Sequence, residues 1–104
     1  MDIETTLRSV AAAVQLQLDE LYRRPGEPVP GSALDQEGLR NGAEIVNEYI
    51  QFGELELAFE HFLYMANEPD IPLSVAQFDA VETVGRRLSV AETKWKCLTI
   101  RSEP

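Results

Sequence analysis

The sequence predicts an all-α domain, a single-domain bundle of four to five helices with a central antiparallel helical hairpin. Apolar residues recur every three or four positions along most of the chain, prolines and glycines gather in short breaks, and no long segment alternates between apolar and polar residues. With 104 residues, 44% hydrophobic and 26% charged, residues 1–104 have the size and composition of one globular domain.

The first helix is predicted over about residues 2–23, and Pro25 prevents its continuation. Its apolar stripe consists of Ile3, Leu7, Val10, Val14, Leu18 and Leu21. The segment 25–31 holds three prolines and two glycines, so it is predicted to be a loop.

The second helix is expected from Ser32, as its cap, to about Ile50, with Gly38 and Gly42 packed closely against the first helix. Gly53 suits the left-handed position after that helix. A third helix follows over about 54–67, and the three-residue break implies an antiparallel hairpin. The buried faces are expected to carry Leu39, Ala43, Val46 and Ile50, then Leu55, Ala58, Phe59, Phe62, Leu63 and Ala66.

A fourth helix is predicted to begin at the capping box Ser74-Val75-Ala76-Gln77. Its core positions are Val75, Phe78, Val81, Val84 and Leu88. A second box, 89–92, is expected to open a short fifth helix through Cys97, and the tail 98–100 could equally be extended.

Charge is the most informative property of the composition. The chain has 18 acidic and nine basic residues, a net charge of −9, and Arg40 is the single Lys or Arg between residues 27 and 82. Such a negative field repels phosphate backbones and attracts basic partners, so we expect no nucleic-acid binding. The alternative is that the acidity serves only solubility.

The location of the protein is expected to be cytoplasmic. No apolar run approaches the length of a membrane helix, and the start lacks the basic region of a secretory signal. The single cysteine, Cys97, excludes an internal disulfide framework and a multi-cysteine zinc site, and no cofactor or metal is expected.

Residues that could support catalysis are few. No Gly-rich phosphate loop or Gly-x-Ser-x-Gly elbow is present, and the lone His61 is expected on the surface of the third helix, so we do not expect an enzyme. The pairs Glu44/Glu48 and Glu56/Glu60 resemble ligands of di-iron bundles, but those need two Glu-x-x-His motifs. Such like-charge pairs cost a few tenths of a kcal/mol each, so they are either tolerated incidentally or kept because a cationic partner neutralises them, and we favour the second explanation.

The stretch 47–63, NEYIQFGELELAFEHFL, looks like the central hairpin of small bacterial immunity proteins. It is most similar to the MafI-like family, with its acidic helix end, glycine turn and Ala-aliphatic-Glu helix, and the continuation 70–74 before a helix also fits. Residues 25–30 and 95–97 do not match that pattern. The resemblance implies a cytoplasmic, non-catalytic protein that binds the toxic C-terminal domain of a cognate polymorphic or contact-dependent toxin.

The acidic composition suits an inhibitor of a basic nuclease, because a nuclease binds phosphates with cationic groups. The candidate partner-binding residues are Glu44, Glu48, Tyr49, Phe52, Glu54, Glu56, Glu60 and Tyr64, with Asp35 and Glu37 next. Two alternatives are an acidic helical adaptor or regulatory subunit of a cellular protein, and a small enzyme using His61 or Cys97. The sequence leaves open whether the protein is a monomer or a homodimer.

Overall fold

Five helices make up the ordered framework of the computed structural model, which describes residues 2–101. They are α1 (Ile3–Tyr22), α2 (Gly42–Gln51), α3 (Leu55–Asn67), α4 (Val75–Arg87) and α5 (Thr93–Lys96). The helices α2 and α3 make the most extensive contact, α1 packs on α2, α3 and α4, and α5 packs on α4. The predicted all-α class and helical bundle are therefore confirmed.

The helix α1 forms where the apolar stripe predicts it. The side chain of Asp2 caps it by accepting a hydrogen bond from the backbone N–H of Glu4. The face toward the other helices is buried, and the chain leaves the helix three residues before Pro25. The buried residues of α1 are Leu7, Val10, Ala11, Val14 and Leu18.

The segment 32–41 is a series of turns, so the prediction of a helix beginning at Ser32 is wrong. Gly31 and Gly38 have φ angles of +81° and +83°, which right-handed helix does not allow. Part of the backbone of this segment finds its hydrogen bonds on α1. Gln15 donates to the carbonyls of Leu39 and Arg40, and its own amide oxygen accepts from the N–H of Ala43.

The predicted close packing of Gly38 and Gly42 on α1 is also wrong, because both glycines face α3. A Cβ on Gly38 would lie 2.9 Å from Cε1 of His61, and one on Gly42 would lie 2.6 Å from Cε of Met65. The glycines therefore bring the loop and the start of α2 against α3, and Met65 is buried although the predicted core omits it.

The connection between α2 and α3 is the tight turn that Gly53 predicts. Phe52 is the C-cap of α2, and Gly53 follows with a φ of +76°. The predicted α3 face is buried at every position except Leu55, which is half-buried. The antiparallel hairpin therefore rests on a glycine turn and on apolar residues spaced every three to four positions.

The capping box at the start of α4 is confirmed by both of its hydrogen bonds, between Ser74 and Gln77. Val75, predicted to be in the core, is 50% exposed: it is the first residue of α4, and the buried residues of that helix, Val81, Val84 and Gly85, lie in its second half. The prediction that a second capping box opens α5 is wrong. Ser89 has a φ of +58° and ends α4 instead of capping α5.

The C-terminal segment returns across the bundle. Trp95 of the four-residue α5 is buried against Gly85, and Cys97 is the C-cap of that helix and lies outside it. The tail is extended, with an isolated parallel bridge between Leu73 and Ile100.

Candidate partner-binding surface

Five carboxylates and one aromatic ring project from the α2–α3 hairpin into solvent. We call this set the hairpin surface: Glu44, Glu48, Phe52, Glu54, Glu56 and Glu60. All five glutamates are exposed, and none of them forms an ion pair or a side-chain hydrogen bond with any residue in the range 2–101. Residues 42–67 contain no Lys or Arg, so the hairpin has a net charge of −5.

The periodicity of the two helices places these carboxylates outward. In α2 the residues Gly42, Val46 and Ile50 are buried, which directs Glu44 and Glu48 to the opposite side. In α3 the apolar residues occupy the inner face and leave Glu56 and Glu60 one turn apart at its edge. The same pattern that builds the core therefore gathers the negative charge on the outside of the hairpin.

Helix dipoles account for only part of this arrangement. Glu44 and Glu56 lie in the first turns of α2 and α3, where a negative charge is favourable. Glu48 lies in the last turn of α2, where a negative charge is unfavourable and no basic residue compensates it. Folding therefore gains nothing from Glu48.

Phe52 is the most exposed large apolar side chain of the described residues, at 78% of its full exposure. It occupies the turn of the hairpin, with Glu48 one helical turn before it and Glu54 two residues after it. Leu57, 42% exposed, follows in the first turn of α3. An exposed aromatic ring between carboxylates has the composition of an interaction anchor and contributes little to the core.

The two tyrosines of the predicted site lie at the edge of the core. Tyr49 is half-buried and packs against the core cluster. Tyr64 donates its hydroxyl to the carbonyl of Glu37 at 2.9 Å, which fastens the long loop between α1 and α2, residues 23–41, to α3. Burial, assisted by the charges of Glu68 and Glu37, raises the pKa of Tyr64.

His61 and Cys97, the residues of the enzyme hypothesis, each contact a backbone carbonyl. His61 is half-buried, not on the surface as predicted, and its Nε2 hydrogen-bonds the carbonyl of Gly38 at 2.9 Å. Cys97 is exposed and its Sγ contacts the carbonyl of Lys94. Within residues 2–101, no three His, Cys, Asp or Glu side chains come together as a metal site.

At the α4–α5 end, in contrast to the hairpin surface, carboxylates form ion pairs with basic residues. Arg86 lies 3.1 Å from Glu82 and 3.7 Å from Glu92, and Lys96 also pairs with Glu92. The hydrogen bond from Lys96, followed by its charge, lowers the pKa of Glu92. Glu82 and Glu92 are thus neutralised within the fold, whereas the carboxylates of the hairpin surface are not.

A cleft of about 520 Å³ lies beside the long loop, and the sequence argument overlooked it. Its wall carries Arg40, whose guanidinium carbon lies 4.2 Å from the ring centroid of Tyr22. Burial raises the pKa of Tyr22, and the charge of Arg40 opposes that shift. The signal in the sequence was the position of Arg40 as the one cation in a long acidic stretch.

Comparisons with known proteins found no matching family model, no matching curated protein and no matching solved structure. Across residues 2–101, none of the helices combines the length and the apolar character needed to cross a bilayer.

Proposed function

We propose that this protein is a cytoplasmic immunity protein that binds and neutralises the toxic C-terminal domain of a cognate contact-dependent or polymorphic bacterial toxin, a basic nuclease. The single observation that carries the proposal is the hairpin surface. Five exposed carboxylates have no cation to pair with in the described chain, and they flank an aromatic ring that is 78% exposed. The resemblance of residues 47–63 to the MafI-like hairpin supports the same function.

A basic nuclease has the complementary chemistry. Its active site collects Lys and Arg because it must bind phosphates, and a surface of charge −5 competes for those groups. Long-range attraction between opposite charges raises the association rate by about 10- to 1000-fold at low salt. Occupation of the phosphate-binding cleft by carboxylates would block the substrate.

In this proposal the ring of Phe52 supplies affinity, whereas the glutamates attract and orient the partner. Charge pairs at the rim of an interface contribute little affinity, whereas a central aromatic side chain that enters a pocket contributes much of it. Phe52 lies between Glu48 and Glu54 in the chain, so it is the expected anchor, with the glutamates steering and orienting the partner.

The proposal is tested by co-expression. The C-terminal domain of the large secreted protein encoded beside this gene is induced in a sensitive cell, with this protein or with an empty vector. We expect growth to be restored and a one-to-one complex to be isolated. A hairpin variant, Glu56→Lys with Glu60→Lys, is expected to protect less than a control with the same change in charge, Glu20→Lys with Asp79→Lys.

Growth that is not restored, with both proteins soluble and no complex formed, would refute the immunity function. The adaptor hypothesis would then take its place, and it predicts a stable complex with a host protein that is harmless when produced alone.

A further inference from the structure

The cleft beside the long loop has opposite charges on its walls that do not neutralise each other. Arg40, Asp35 and Glu37 all line it, yet Arg40 forms no ion pair with any carboxylate of residues 2–101. Elsewhere in the protein Arg86 pairs with two glutamates, whereas Arg40 lines the same cleft as two carboxylates and pairs with neither.

Arg40 and Asp35 are each held by a contact of their own. The guanidinium of Arg40 lies over the ring of Tyr22, and Tyr22 is itself fixed by donating its hydroxyl to the carbonyl of Leu34 at 2.7 Å. The carboxylate of Asp35 accepts a hydrogen bond from the N–H of Gly31 at 2.9 Å. A guanidinium stacked on a ring keeps its N–H edges free, and those edges match a carboxylate.

The charge of the cleft selects among ligands. An anion alone would be repelled by Asp35 and Glu37, and a cation alone would leave Arg40 without a partner. A ligand with both charges satisfies both walls. The remaining wall includes the apolar side chains of Leu34 and Ile45, which suit an aliphatic group. The volume of about 520 Å³ lies in the range of about 300–1,000 Å³ that is typical of small-molecule sites.

We propose that this cleft binds a small zwitterion of the amino-acid type, with its carboxylate on Arg40, its ammonium group facing Asp35 and Glu37, and its aliphatic part on Leu34 and Ile45. This site does not rest on toxin binding, because it is formed by the loop before α2 together with Tyr22 and Ile45 and lacks every residue of the hairpin surface. Asp35 and Glu37, the further partner-binding candidates of the sequence, lie in this cleft and not on the hairpin surface.

The test is an NMR titration of the full chain with three compounds that share the isobutyl side chain of leucine. L-Leucine carries both charges, isocaproate carries only the carboxylate, and isoamylamine carries only the ammonium group. We expect saturable shifts of cleft amides such as Gly38 and Asn41 with leucine. Each single-charge compound should bind at least about tenfold more weakly, since it loses one charge-assisted contact.

Two variants assign the contacts. Arg40→Gln removes the cation, and Glu37→Gln removes a carboxylate that makes no contact needed for folding, so that the second variant remains informative if the first disturbs the loop. Both are expected to weaken leucine binding, while the control Asp79→Asn on α4 leaves it unchanged. The proposal is overturned if leucine gives no saturable shift, if isocaproate or isoamylamine binds as tightly, or if both variants bind leucine like the wild type.

Discussion

The contact between Gly85 and Trp95 predicts that Gly85→Ala destabilises the protein, although alanine favours helix. A Cβ at position 85 would lie 2.5 Å from Cε3 and 2.9 Å from Cη2 of Trp95, and still closer to Cζ3. The indole is 1% exposed and meets Phe59 edge-on, so it has no free space to enter. Overpacking costs about 1–3 kcal/mol, while helix propensity returns about 1 kcal/mol.

The expected net loss is therefore up to about 2 kcal/mol, which for a domain of this size lowers the Tm by up to about 15 °C. Thermal unfolding followed by circular dichroism measures it. Repeating the substitution in a Trp95→Phe background tests the cause, because a smaller ring leaves room for the methyl group and the two changes should couple by about 1 kcal/mol or more. A higher Tm for Gly85→Ala in the wild-type background would show that the packing argument is incorrect.

Three further outcomes are expected. Ser74→Ala removes the hydrogen bond that the Ser74 hydroxyl accepts from the N–H of Gln77, and should lower the free energy of unfolding by about 1 kcal/mol in urea denaturation; a value within error of zero would contradict it. Phe52→Ala should change stability by less than about 0.5 kcal/mol but weaken the toxin complex at least about tenfold in calorimetry, and unchanged affinity would remove Phe52 as the anchor. Because Lys96 lowers the pKa of Glu92 below its usual 4.5, the pair stabilises the fold above that pH and is lost as the pH falls through and below it. Glu92→Gln should therefore reduce the difference in Tm between neutral and acidic solution, and an undiminished difference would argue against this linkage.

Local signals in the sequence predicted much of the fold. The helix α1 ends three residues before Pro25, and Gly53 adopts the left-handed conformation of its turn. Ser74 and Gln77 form the capping box that their spacing predicts. Each of these features depends on residues within a few positions of one another. The residues that form each feature are therefore the same residues whose pattern predicts it.

The wrong predictions concern segments whose structure depends on residues that are distant in the sequence. The side chain of Gln15, more than twenty residues away, satisfies the backbone of the loop before α2, and no local pattern reports that. Ser89 and Glu92 have the spacing of a cap, but the packing of Trp95 on Gly85 turns the chain there. The charge of the hairpin was visible in the sequence, whereas the exposure of Phe52 follows from where the turn lies relative to the core.

The role of the hairpin surface is tested most directly by the association rate constant with the toxin domain, measured at several salt concentrations. Glu56→Lys with Glu60→Lys changes the charge of the hairpin by four units, and Glu20→Lys with Asp79→Lys makes the same change elsewhere. With the fold of both variants intact by circular dichroism, we predict that the hairpin variant associates at least about tenfold more slowly at low salt and loses most of the salt dependence. Equal association rates for the hairpin variant and the wild type would contradict the assignment of this surface.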